Sequence, residues 1–263
     1  MYSSAATVRA RFMARRGISG AANLDHLSPL AQEIVSDSLQ VHYQPLVDLS
    51  SHKIFAYEAL ARSRSQRFRG PLPTFAAALQ ENCCGELGLI LRSLALEHAP
   101  QAYPLFLNVH PNEFDEGWLV RTDEPMFWHT EAVFLEITEG VPLSHFALCR
   151  SVLREVRSKG VFLAVDDLGA GYSNLKYIAD LAPEIVKIDR EMIAGVVRSS
   201  RQHRLLAALV RLCTDMGARV VAEGIETAVE LNAAIDAGVH YGQGYLLARP
   251  NYPAPTLQYQ ADW

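Results

Sequence analysis

Four cysteines are spread over 263 residues, and no two stand at a metal-binding spacing. Cys83 and Cys84 are vicinal, a poor geometry for a mutual bridge, and Cys149 and Cys213 lie far from both. This argues against structural zinc and a disulfide framework, and the thiols read as reduced. No apolar run approaches the ~18 residues that span a bilayer. The N-terminus lacks the apolar stretch of a secretory signal. A cytoplasmic protein without a transmembrane segment is therefore expected. Positive charge is not in excess either. A net charge of −5 disfavours a protein that coats a nucleic-acid polymer, although a local basic site remains compatible with a phosphate ligand. No glycine-rich dinucleotide fingerprint is found at the first strand-to-helix turn.

What is present is an ordinary globular composition, 49% hydrophobic and 20% charged, long enough for one large domain. Residues 1–27 stand apart, because Arg9, Arg11, Arg15 and Arg16 cluster there and no acid precedes Asp25. A solvated or disordered basic arm or linker is expected, with the folded domain occupying 28–263. Ser28-Pro29 reads as an N-cap and first helical position. Val41 to Leu49 and Ile54 to Leu60 are strand-like runs joined by four polar residues, which implies an antiparallel pair. A helical stretch from Thr74 to Ala99, interrupted near Gly85, follows. Strands are then expected at Leu105–Val109, Val133–Ile137, Phe162–Asp166, Ile185–Ile188, Val220–Glu223 and Tyr241–Leu247, with helices between them. The helix after the sixth strand is expected to run on to about Met216. Eight strands in βα alternation imply an α/β fold of the (β/α)8 TIM-barrel type, opened by an antiparallel pair.

Barrel chemistry belongs at the strand C-termini. Glu58, Asn108, Glu136, Asp166-Asp167, Lys187 and Glu223 fall at or near the ends of successive parallel strands, and Gln243 lies within the last. Burying this much charge only for packing is expensive. Adjacent carboxylates need a positive neighbour, and a set rich in carboxylate with one amide suits Mg²⁺ or Mn²⁺ better than Zn²⁺. More carboxylates than one ion needs suggests two ions. Lys187 offers a fixed cation for a water or for developing charge. Two chemistries fit these residues: metal-dependent phosphodiester hydrolysis, and proton abstraction beside a metal-bound carboxylate. The paired aspartates and the amide favour the first.

The blocks Gln44-Pro45, Glu58-Ala59-Leu60-Ala61-Arg62, Asn108, Glu136-Ile137-Thr138-Glu139, Asp166-Asp167-Leu168-Gly169-Ala170-Gly171-Tyr172-Ser173, Lys187-Ile188-Asp189, Ala222-Glu223-Gly224-Ile225-Glu226 and Gln243-Gly244-Tyr245 occur in this order over about residues 38–250. In this the chain resembles the EAL domain family, the bacterial cyclic di-GMP phosphodiesterases. The resemblance implies hydrolysis of cyclic di-GMP to linear 5'-pGpG, with two Mg²⁺ or Mn²⁺ ions. It implies that Glu58, Asn108, Glu136, Asp166, Asp167 and Glu223 are metal ligands, and that Lys187 and Glu223 position the attacking water. It further implies that Gln44, Arg62 and Gln243 contact the dinucleotide, that Glu139 braces the loop after the fifth strand, and that the protein is a homodimer. The sequence departs from the family pattern at Leu168, Ala170 and Asn174, where Phe, Thr and Ser are usual. It also departs at His110, where a serine is usual and where a surface position is expected. The rival class is a catalytically silent cyclic di-GMP receptor acting through a regulatory or sensory partner. Such receptors typically lose metal ligands, and none is missing here.

Overall fold

The computed structural model describes residues 4–18, 24–137, 146–169 and 175–258. The chain opens with α1 (Ala5–Arg15) and α2 (Pro29–Val35), then a long hairpin of β1 (Leu39–Asp48) and β2 (Lys53–Ser63). The hairpin turn is built locally, since Asp48 Oδ1 accepts from the backbone N–H groups of Ser50 and Ser51 and from the Ser50 hydroxyl. Helices α3 (Pro71–Gln80) and α4 (Cys84–Glu97) lead to β3 (Leu105–Val109). A 3-10 segment, Pro111–Val120, then leads to β4 (Val133–Ile137). There follow α5 (Phe146–Ser158), β5 (Phe162–Leu168), α6 (Leu175–Leu181), β6 (Ile185–Ile188), α7 (Arg190–Ile193), α8 (Arg201–Asp215), β7 (Arg219–Ala222), α9 (Ala228–Asp236) and β8 (Tyr241–Gly242).

The eight strands close into a barrel in sequence order. β1 runs antiparallel to both β2 and β8, and every other pairing is parallel. The expected (β/α)8 barrel with an antiparallel first strand is therefore what the chain forms.

The barrel interior has two layers, and strand periodicity sets both. The lower layer is apolar: Leu46, Ala56, Phe106, Phe134, Ala164, Ile185, Val221 and Tyr241 pack together, and Phe106 stacks on Phe134 at 4.5 Å. A strand returns a side chain to the same face every second residue. Two residues further along each parallel strand, the inward positions are Glu58, Asn108, Glu136, Asp166, Lys187, Glu223 and Gln243. On antiparallel β1 the step runs backwards, from Leu46 to Gln44, and Gln44 pairs in register with Glu58. The apolar plug thus carries a polar layer directly above it.

Three expectations are corrected. Residues 5–15 form no solvated arm: α1 packs on α4 and buries Ala5, Val8 and Phe12. Its arginines pair with acids of the folded domain, Arg11 with Asp123, Arg15 with Glu86 and Arg16 with Glu81. The helix after β6 is split into α7 and α8, because the chain turns through Gly195 at φ +70° and Ser199 at φ +65°. The last strand is only Tyr241–Gly242, so Gln243 follows β8 instead of lying within it. Beyond it the chain turns, with Leu247 and Ala248 both donating to the Gly244 carbonyl.

Candidate active site

Lys187 is the centre of the polar layer and is 1% exposed. Its Nζ lies 2.6 Å from Glu136 Oε1, 2.6 Å from Glu223 Oε1, 3.2 Å from Asp166 Oδ1 and 3.3 Å from Glu58 Oε2. Amides fix Glu58 further. Asn108 donates to Glu58 Oε1 at 3.0 Å, and Gln243 donates to Glu58 Oε2 at 2.7 Å and approaches Gln44 Oε1 at 3.2 Å. Gln44 in turn donates to the Ala248 carbonyl. The sequence reading places Glu58 at the end of its strand, and the structure corrects this. Glu58 stands in mid-β2, because the hairpin with β1 carries that strand on to Ser63.

One ammonium thus faces four carboxylates in a buried layer, and the acids respond. Burial pushes Glu136 far above the ordinary carboxylate range; Glu58 and Asp166 add to this against the opposing pull of Lys187. Burial raises Asp166, with Lys187 opposing and Glu58 reinforcing. Glu223 is pushed up to about 8, first by burial, against Lys187 and with Asp166 and Glu58. Glu58 goes the other way. Burial acts upward on it, but Lys187 and the amide donors of Gln243 and Asn108 hold it below its usual value. Lys187 is held well above its usual value because the carboxylates outweigh burial. The layer is short of positive charge.

Asp166 and Asp167 are adjacent, so in a regular strand they would face opposite sides. They do not, because the register of β5 against β6 shifts between Val165 and Leu168, and Asp167 takes φ +59°. The bulge inserts an extra residue and re-aims the side chains, in a left-handed conformation that Asp tolerates better than most residues. Oxygens of Asp166, Asp167 and Glu223 consequently lie within 4.8 Å of one another. Glu136 Oε2 is buried with no hydrogen-bond partner among the described residues. An all-oxygen set with surplus negative charge and an unpartnered buried oxygen fits a hard divalent cation, and Asp166, Asp167 and Glu223 would hold it.

Two cavities flank these carboxylates. One of about 630 Å³ opens from Glu58, Asn108, Asp166 and Asp167 toward Leu72 and Phe75 of α3. The other, of about 220 Å³, joins Gln44, Gln243 and Glu223 to Arg190 and Tyr245. Sequence reasoning missed Arg190 and Tyr245, although each directly follows a recognised block or lies at its end. Arg62 is not drawn into the cluster: its guanidinium donates to the neighbouring Ala61 carbonyl. His110 is not the surface residue expected. It is half-buried, stacks on Phe75 at 4.9 Å, and caps the 3-10 segment by accepting from Asn112 N–H. The four cysteines are buried and form no disulfide. Glu139, Ala170 and Asn174 lie outside the described residues. Among the described residues no helix is long and apolar enough to cross a membrane.

Fold and site together define a class, a (β/α)8 barrel whose mouth gathers carboxylates and amides around one buried lysine. More specifically, the chain belongs to the EAL domain family, whose model matches residues 28–250. It is 31% identical over 245 residues to the cyclic di-GMP phosphodiesterase PA2567 of Pseudomonas aeruginosa, covering 86% of this chain and 41% of that protein. It is 29% identical over 234 residues to the cyclic di-GMP phosphodiesterase NbdA of the same organism, covering 84% of this chain and 30% of that one. The chain therefore spans less than half the length of these curated relatives. Among solved structures it is similar to Klebsiella pneumoniae BlrP1 in a manganese and cyclic di-GMP complex, with 30% identity, TM-score 0.68, and coverage of 81% of this chain and 56% of that one. It is also similar to an EAL domain protein from Listeria monocytogenes, with 28% identity, TM-score 0.73, and coverage of 83% and 91%.

Proposed function

We propose that this chain hydrolyses one phosphodiester bond of cyclic di-GMP, giving linear 5'-pGpG and lowering the level of that second messenger. The observation that carries the reading is the charge deficit of the polar layer, in which, among the described residues, Lys187 is the one cation paired with Glu58, Glu136, Asp166 and Glu223. A relative named cyclic di-GMP phosphodiesterase and a similar structure in complex with manganese and cyclic di-GMP support it. Glu58, Asn108, Glu136, Asp166, Asp167 and Glu223 would hold Mg²⁺ or Mn²⁺, two ions in this reading. When bound, such ions supply charge stabilisation at the phosphorus and an activated water.

The residues of the chain do the positioning. Lys187 donates to the attacking water and neutralises charge that develops beside it. Glu223 orients the same water by accepting a hydrogen bond from it. Gln243 and Asn108 fix Glu58. Gln44, Gln243 and Arg62 contact the dinucleotide, whose two flat bases suit cavities on either side of the acidic layer. Glu139 braces the loop that follows β5, and two chains associate as a homodimer, which light scattering at micromolar concentration tests.

The decisive experiment is chromatography of cyclic di-GMP incubated with the purified protein, with Mg²⁺ or Mn²⁺ and then with chelator. Metal-dependent appearance of pGpG is expected, and Glu58→Ala should abolish it while part of the nucleotide binding survives. Intact nucleotide in every metal condition, with tight binding in calorimetry, would replace the enzyme by a receptor.

A further inference from the structure

Arg92 lies in the Leu-rich helix α4, only 2% exposed, and no step of the proposed chemistry uses it. Each of its three guanidinium nitrogens is engaged. Nε and Nη2 grip the two oxygens of Glu124 at 2.8 and 3.0 Å, and Nη1 reaches Glu113 Oε2 at 2.5 Å. Both glutamates are 0% exposed, so one cation is shared by two buried anions. Burial raises the Glu113 carboxyl, and Arg92 and the His110 backbone N–H pull against that rise.

The face of α4 that carries Arg92 is cut to receive this cluster. Residues three and four apart share a helix face, and Gly85, Gly88 and Arg92 follow that spacing. A Cβ on Gly88 would lie 1.8 Å from Glu113 Oε2, and one on Gly85 would lie 2.2 Å from Trp118. Glycine inside a helix is unfavourable by about 1 kcal/mol relative to alanine. Both glycines admit side chains of the Pro111–Val120 segment. A buried charge cluster is a poor source of stability, since apolar replacements of similar volume are often neutral or better. Its placement therefore needs another account.

The cluster leads to the site. The second oxygen of Glu113, Oε1, accepts the backbone N–H of His110 at 2.9 Å. His110 is two residues beyond Asn108, whose amide orients Glu58. We propose that Arg92, through Glu113 and with Glu124 as its counter-clamp, is a positioning residue that holds the end of β3 so that the Asn108 amide meets Glu58 and the cation. This rests on the functional reading above and deepens it. Arg92 touches neither substrate nor cation. Its effect passes through backbone placement, and groups that orient metal ligands are typically worth about 10- to 100-fold in metal affinity.

The test separates placement from folding. Arg92→Met alone leaves two buried carboxylates unpaired and can unfold the protein, so the informative variant is the triple Arg92→Met/Glu113→Gln/Glu124→Gln, which removes all three charges. The measurements are thermal unfolding, Mn²⁺ affinity by calorimetry without nucleotide, and pGpG formation. The triple variant is expected to melt near the wild type, yet to bind Mn²⁺ about 10-fold more weakly. Adding Asn108→Ala to it should weaken binding by much less than Asn108→Ala does in the wild type, because coupled positions are non-additive. Unchanged Mn²⁺ affinity in a folded triple variant would reduce Arg92 to a packing role and overturn the proposal, as would full additivity with Asn108→Ala. Should the wild type make no pGpG while the Mn²⁺ effects appear as described, positioning stands and the phosphodiesterase reading falls. A wild type that binds no Mn²⁺ removes both.

Discussion

Replacing Lys187 by methionine removes the one cation seen among the four buried carboxylates while filling much of its volume. Each oxygen that Lys187 now faces lies within 3.3 Å of its Nζ, so the change strands charge that, among the described residues, only the Asn108 and Gln243 amides at Glu58 still offset. Removing one partner of a buried pair typically costs about 3–5 kcal/mol. For a domain of this size each kcal/mol moves the melting temperature by roughly 2–4 °C, so at pH 8 without metal the drop should be about 6–20 °C. The pH dependence identifies the cause. Glu58 is held below its ordinary value, so its contribution to stability is present above that value and is lost in the variant. Glu136, Asp166 and Glu223 are raised, so they disfavour the fold as pH climbs from the ordinary carboxylate range toward their folded values, about 8 for Glu223. Without Lys187 those folded values rise further and the unfavourable range widens. Wild type and variant should accordingly melt close together near pH 4.5 and diverge toward pH 8, and Mn²⁺ should recover part of the gap by binding the folded state. Turnover should vanish at every pH. A melting difference that is the same at both pH values and indifferent to Mn²⁺ would show that Lys187 acts by packing, and the electrostatic reasoning would fail.

In the wild type with chelator, stability should decline between about pH 5 and pH 8 as the unfolded chain ionises carboxyls that the fold keeps raised, and saturating Mn²⁺ should flatten that decline. Calorimetric Mn²⁺ binding at pH 7 should then release protons, seen as a heat that depends on the ionisation enthalpy of the buffer; no such dependence would contradict the raised values of Glu136 and Glu223. For the N-terminal helix the test is Phe12→Ala. Phe12 is 2% exposed against α4, so the truncation should cost about 3–5 kcal/mol. An unchanged melting curve would mean that α1 does not dock in solution.

Much of the barrel can be read from local pattern. Phe106 and Asn108, Phe134 and Glu136, Ala164 and Asp166, Ile185 and Lys187, Val221 and Glu223 repeat one motif, apolar then polar two residues on. Because strand side chains alternate, that pattern alone says an apolar layer lies beneath a polar one. The docking of α1 was legible too, in the spacing of Ala5, Val8 and Phe12, but the arginines between them masked it. The length of β8 was not, since the apolar run from Tyr241 to Leu247 looks continuous and only the turn at Gly244 ends it.

The sequence by itself determined which residues face the barrel mouth, and hence a site rich in carboxylate and amide with a single lysine. Alternation and βα order are local properties, set by each segment's own residues. Tertiary structure alone decided that Lys187 meets Glu58, Glu136, Asp166 and Glu223, because those contacts join five strands and depend on the stagger of a closed sheet. It also turned the adjacent Asp166 and Asp167 toward one site through a bulge against β6, and it joined Arg92 of α4 to glutamates 21 and 32 residues away. These are relations between segments, fixed by packing and not by the identity of any one residue.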